Sequence, residues 1–253
     1  MEVRGRTALV TGGAHRVGRA ITLALAQAGA NVAINYYSSA EAAQETAAMV
    51  RALGVEALPV QADVSQAGEV QAMVAAAEEH LGPVGILVNA ASLWRKTPFP
   101  MADLADWHRV TGILIDGAMY CANAVAPGML RAGEGAIVNV VDLSAWEPWP
   151  GYAAHAVGKA ALLALTRQLA LELAPGVQVN AVAPGPVLPP PGHSQQMADQ
   201  IAARTLKGRW GSAEDVASAV LFLVRADYIT GEVIVVDGGE RYGHQQRRWH
   251  RPG

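Results

Sequence analysis

A single-domain α/β fold, with a doubly wound parallel sheet of about seven strands and helices on both faces, is what this sequence predicts. Three observations carry it. Short β-type runs alternate with longer Ala-rich helical patterns along most of the 253 residues. The strand runs are apolar on both faces, as parallel strands buried between two helical layers must be. A glycine-rich turn, Thr11-Gly12-Gly13-Ala14-His15-Arg16-Val17-Gly18, joins the first strand directly to the first helix. Right-handed crossovers between such strands place helices on both sides of the sheet.

The elements follow in order. A strand at 7–10 precedes a helix over about 17–28, and a strand at 31–35 precedes a helix over 41–53. A strand at 57–60 leads to a helix over 67–80, and the strand at 85–89 to a long helical stretch over 103–131. The run Ala136-Ile137-Val138-Asn139-Val140-Val141 is a buried strand, followed by a helix over 152–173 and a strand at 177–182. A last helix over 213–224 and a strand at 232–236 close the pattern. The proline-rich stretch 184–191 reads as a loop beside the site, and 187–206 as a mobile segment closing over ligand. The domain is expected over 1–240, with a basic tail at 241–253 that includes Arg247, Arg248, His250 and Arg251.

Composition excludes several classes. With 51% hydrophobic and 16% charged residues the chain is not disordered. A net charge of -3 argues against a nucleic-acid partner. Cys121 is the single cysteine and cannot form an internal disulfide, and no Cys/His cluster has metal-ligand spacing. No uninterrupted apolar stretch reaches the ~18 residues of a membrane span. The N-terminus runs into the first strand without a signal-peptide pattern, so a cytoplasmic location is expected.

Glycines at the first strand–helix turn let the backbone approach a pyrophosphate, whose charge meets the free N–H groups of the helix terminus. An ordinary tight turn is the alternative for the glycines taken alone. Thr11-Gly12 with Gly18, Asn89 after the fourth strand, Lys159 on a helix, Pro184-Gly185 after the sixth strand and Asp237-Gly238-Gly239 together resemble the short-chain dehydrogenase/reductases. The resemblance spans residues 5–240 in the family's order and spacing. It implies a Rossmann-type fold, a nicotinamide dinucleotide, a small-molecule substrate and a homo-oligomer, most often a tetramer. Cofactor contacts are then expected from Gly12, His15, Arg16, Val17, Asp63, Val64, Asn89, Ala90, Ala91, Lys159, Pro184, Gly185 and Val187.

The residues after the second strand, Tyr37-Ser38-Ser39, are also expected to contact the cofactor; they include no carboxylate, and serine hydroxyls and free N–H groups can bond a 2′-phosphate. A carboxylate there would bond a ribose hydroxyl and repel a 2′-phosphate, so NADP(H) is expected rather than NAD(H). Arg16 adds a guanidinium where most of the family has glycine. Ser38 and Ser39 can also cap the following helix.

The family's usual Tyr, Ser and Asn are replaced. The Tyr position holds His155, the Ser position thirteen residues earlier holds Asp142, and the Asn position holds Leu114; Lys159 is retained. Asp142, His155 and Lys159 are therefore the expected catalytic set. Arg16, Asp142 and the prolines after Pro184 resemble the pteridine reductase branch, which implies a dihydropterin, dihydrofolate or similar heterocycle. Substrate contacts are then expected from Arg16, Ser92, Trp94, Asp142 and His155. A positioned imidazolium would donate the proton that accompanies hydride transfer, and it should point into an open cleft. Reduction of another carbonyl, or a silent dinucleotide-binding protein, stands as the alternative.

Overall fold

The computed structural model describes residues 1–189 and 194–243. Pro190, Pro191 and the basic part of the expected tail lie outside the described residues. Seven parallel strands are ordered β3-β2-β1-β4-β5-β6-β7. They are β1 (Thr7–Thr11), β2 (Asn31–Tyr36), β3 (Ala57–Gln61), β4 (Val84–Asn89), β5 (Gly135–Val140), β6 (Val177–Pro184) and β7 (Val233–Val236). The helices are α1 (Arg16–Gln27), α2 (Ala40–Arg51), α3 (Ala67–Leu81), α4 (Ala105–Thr111), α5 (Gly117–Ala132), α6 (Ala153–Glu172), α7 (Gln195–Ala202) and α8 (Ala213–Arg225).

Strand alternation builds two cores. Ala8, Val10, Ile86, Val88 and Val138 face the layer holding α1 and α8. Leu9, Leu87 and Ile137 point the other way, against α3 and α5. Both strand faces are buried, which is why the sequence shows continuous apolar runs rather than alternation with polar residues. The strand order reverses between β1 and β4, so the C-terminal ends of these strands border the crevice where ligands bind in such sheets.

Two expectations change. The long helical stretch is interrupted by a π-turn at Gly112–Asp116, between α4 and α5. The run Ala105–Ala132 has the length and apolar composition of a membrane span, but Cys121, Val125 and Met129 are buried against the sheet. The segment expected to be a mobile loop contains α7, started by Ser194, whose hydroxyl accepts from the N–H of Met197.

Candidate active site

The glycine turn closes on itself. Gly12 has φ +63, and a Cβ on it would meet Ala91 Cα at 3.0 Å. A Cβ on Gly18 would lie 2.1 Å from the Gly12 carbonyl oxygen. Thr11 Oγ1 accepts from the N–H groups of Ala90 and Ala91 at 3.0 and 3.1 Å, tying the ends of β1 and β4. Asn35 Oδ1 accepts from Gly12 N–H at 3.2 Å, while its amide donates to the Ala62 carbonyl at 3.1 Å. Sequence reasoning missed this brace, because a polar residue within a strand gives no sign of its partner. His15 stands at the N-cap of α1 without a side-chain capping bond, and the first turn, with Val17, carries no acid. This N-terminus can receive a pyrophosphate.

Arg16 does not face that N-terminus. Its φ of +48 lies in the left-handed region, which accounts for a glycine being the usual occupant. The guanidinium donates to the carbonyls of Leu188 at 3.1 Å and Pro189 at 3.4 Å. In this structure Arg16 clasps the segment after β6.

A cleft of about 460 Å³ follows, lined by Gly12, Tyr37, Ser38, Asp63, Val64 and Ser92 among others. Ser39 occupies the N-cap of α2, yet its hydroxyl makes no capping bond. Asp63 Oδ1 accepts from Ser65 N–H at 3.0 Å and Ser65 Oγ–H at 2.7 Å, and Oδ2 accepts from Arg109 at 2.6 Å. Burial alone would push the Asp63 carboxyl up; the Ser65 bonds and the Arg109 charge outweigh it and hold it below the usual range. Arg109 was not among the sequence candidates.

The chemistry-bearing side chains gather beyond β5. Asp142 opens a short turn, Leu143–Ala145, where its Oδ1 accepts from Ser144 N–H at 2.9 Å. Its Oδ2 accepts from His155 Nε2–H at 2.7 Å. Burial would raise Asp142, but the His155 bond and the Lys159 charge prevail and hold it below the usual carboxylate range. Lys159, one turn after His155 on α6, donates to the Val140 carbonyl at 2.7 Å. Burial pushes Lys159 below the usual lysine range, opposed by the Asp142 charge.

His155 does not open into the cleft as expected: it is 1% exposed. Trp94 meets it edge-on with ring centroids 4.7 Å apart, and Trp149 stacks over it at 6.0 Å. Tyr152 packs against Trp94 at 4.5 Å. Nδ1 of His155 is buried without a partner among the described residues. Leu114 lies in the π-turn, buried with Val110 and Ala154.

Asn89 ends β4 and donates to Asn139 Oδ1 at 2.9 Å; Asn139 in turn donates to Thr166 Oγ1 at 2.9 Å. Asn89 Oδ1 is buried and unpartnered among the described residues, a polar atom that a ligand group at this edge would satisfy. Pro184 ends β6, and Gly185 N–H donates to the Val236 carbonyl at 3.0 Å. A Cβ on Gly185 would lie 2.6 Å from Asp237 Cβ, so the backbones approach closely there. Val187 is 7% exposed and packs into the core.

Comparison with known proteins finds relatives along most of the chain. Residues 12–240 match the family described as enoyl-(acyl carrier protein) reductase. The 3-oxoacyl-(acyl-carrier-protein) reductase FabG of Staphylococcus aureus is 36% identical, over 92% of this chain and 97% of its own. The corresponding reductase of Synechocystis is 36% identical, over 92% and 96%. A gluconate 5-dehydrogenase from Burkholderia cenocepacia, solved with NADP and tartrate, superposes with TM-score 0.87 at 31% identity, covering 95% of this chain and 97% of that one. A mutant short-chain dehydrogenase/reductase from Serratia marcescens gives TM-score 0.88 at 33% identity, covering 95% and 99%. These names do not support the expected pteridine branch. The solved structures share the fold, and the chain is an oxidoreductase of the short-chain dehydrogenase/reductase family.

Proposed function

We propose that this protein is an NADP(H)-dependent reductase of a carbonyl group in which the buried His155, paired with Asp142, replaces the family's tyrosine as proton donor. The 2.7 Å bond between Asp142 Oδ2 and His155 Nε2 is the observation that carries this reading. The glycine turn, the α1 N-terminus, Asn89 and Lys159 would hold the dinucleotide, which supplies the hydride when bound.

The residues divide the remaining work. The Asp142 carboxylate holds Nε2–H, fixes the ring orientation and stabilises the imidazolium. That leaves the buried Nδ1–H as the proton to be delivered to the oxygen of the reduced carbonyl once substrate displaces part of the Trp94 and Trp149 cover. The neutral ring regains one from solvent while that cover is open. Asp142 is therefore a positioning residue rather than the substrate contact first expected. Lys159, anchored on the Val140 carbonyl, lies in the same buried cluster and adds positive potential beside Asp142.

The names of the relatives favour a 3-oxoacyl-type ketone. The Trp94, Trp149 and Tyr152 rings around His155 favour a second reading, a flat heterocycle of the dihydropterin or dihydrofolate type, because a planar ring can displace one aromatic neighbour and stack on the others. We place the enzyme in the cytoplasm as a homo-oligomer. Met119 and Leu130 on α5, with Val157 and Leu171 on α6, are exposed apolar side chains that support subunit contact.

The test is NADPH consumption with a 3-oxoacyl thioester, dihydrobiopterin and dihydrofolate, each scanned from acid to mildly alkaline pH. Turnover of at least one of them is expected, and the preferred substrate separates the two readings. Protein that binds NADPH but turns over none of these at any pH would instead be a silent dinucleotide binder.

A further inference from the structure

A ribose 2′-phosphate is commonly accommodated by a cation beside the loop that follows β2. That loop, Tyr37-Ser38-Ser39, contains none, and Arg16 is turned away onto the Leu188 and Pro189 carbonyls. The structure assigns that cation to Arg109 of α4: we propose that Arg109 sets the preference of this enzyme for a 2′-phosphorylated dinucleotide. The inference rests on the NADP(H) reading above and names the residue responsible.

Three features support it. The Arg109 guanidinium lies over the Tyr37 ring, 5.0 Å from its centroid, so the charge is held against the β2–α2 loop itself. Arg109, Tyr37 and Ser38 line the same cleft, and the Arg109 side chain keeps 30% exposure. Nη1 alone makes the bonds to Asp63 Oδ2 and Ser65 Oγ, at 2.6 and 2.9 Å. Nη2 and Nε take no partner among the described residues, so the fork can hold Asp63 with one arm and an anion with another.

Asp63 is then part of the device. Its carboxylate lines the same cleft and would repel a phosphate if bare. Both of its oxygens accept bonds, from Ser65 and from Arg109, which mutes that repulsion while fixing the guanidinium plane.

The experiment measures equilibrium binding of NADPH, NADH, adenosine 2′,5′-bisphosphate and adenosine 5′-monophosphate by calorimetry. Wild type is compared with Arg109→Gln, Arg109→Lys, Tyr37→Ala and Arg16→Ala. Loss of a charge-assisted bond predicts that Arg109→Gln weakens NADPH and the bisphosphate by about tenfold or more, with NADH and the monophosphate changed several-fold less. Arg109→Lys should keep part of the discrimination, since it retains charge without the fork. Tyr37→Ala should lower it by releasing the guanidinium. If Arg109→Gln fails to fold, the Lys and Tyr37 variants decide. Discrimination that survives all the Arg109 and Tyr37 changes, or disappears only in Arg16→Ala, overturns the assignment. A wild type preferring NADH overturns it together with the NADP(H) reading but leaves dinucleotide binding standing. A wild type that binds none of the four overturns all three.

Discussion

The half-buried Asp142 and the buried His155 form a pair, Oδ2 to Nε2 at 2.7 Å, at positions where the family resemblance leads one to expect serine and tyrosine. The pair commits one imidazole nitrogen to the carboxylate, while the other is buried without a partner among the described residues and is the proposed proton donor. His155→Ala should therefore lower kcat by about a hundredfold or more, the scale of a positioned general acid. Asp142→Asn should lower kcat with a smaller change in KM, because the ring loses its orienting charge rather than a substrate contact. An active His155→Ala variant with an unchanged pH profile would remove the imidazole from the mechanism.

The same pair makes stability depend on acid. The folded state holds Asp142 below the usual carboxylate range, so as pH falls the unfolded chain takes up its proton first. The stabilisation is present at neutral pH and disappears as pH drops through the depressed folded value. Thermal melts over an acid series should show a steeper loss for wild type than for Asp142→Asn. Parallel curves would mean that the carboxylate is no better stabilised in the folded chain than in the unfolded one.

Leu114 occupies the space beside Gly158 so closely that a Cβ on Gly158 would come within 2.7 Å of Leu114 Cδ1 and 2.9 Å of its Cβ. Gly158→Ala alone should destabilise by roughly 1–3 kcal/mol through overpacking, although alanine is favoured over glycine in a helix by about 1 kcal/mol. In a Leu114→Ala background the sign should reverse, since the truncated side chain frees the volume. Denaturant melts of the four proteins in that cycle measure the coupling, and simple additivity would show that the two residues are not in contact.

Most of the fold was legible because a parallel sheet leaves local marks. Each strand is a short apolar run, each helix an Ala-rich amphipathic stretch, and the observed boundaries differ from the expected ones by a few residues. Lys159 follows His155 by one helical turn, and both join Asp142 in the observed cluster, as the family register implied. What was not legible depends on distant partners. The cover of Trp149 over His155 comes from the loop after β5, where no periodicity announces a tertiary contact. Arg109 reads as an ordinary solvated helix residue until Asp63 and Tyr37 are brought against it. The helix α7 was hidden by the prolines before it, although Ser194 marks its start.

Cys121 lies at 0% exposure in α5, and burial pushes its thiol up to about 12. The thiolate is the reactive species, so a neutral, enclosed thiol should resist alkylation. Iodoacetamide should leave the native protein unlabelled over hours, and labelling should appear together with unfolding in a denaturant series. Modification in the absence of denaturant, at the rate of a free thiol, would show that α5 opens from the sheet far more readily than its packing allows.

Lys159 adds a pH dependence of the same sign as that of Asp142, in a higher pH window. Burial depresses its folded value below the ordinary lysine range, while the unfolded chain keeps that ordinary range. In the window between them the unfolded state binds the extra proton, so stability should rise with pH. Lys159→Met removes the titrating group and should flatten this alkaline limb, with better stability near neutrality because no ammonium is buried. The same variant should lose dinucleotide affinity, if the retained lysine serves the cofactor as proposed. A Lys159→Met protein that keeps the wild-type alkaline rise would assign that rise to another group, and one that keeps full NADPH affinity would confine Lys159 to its bond with the Val140 carbonyl.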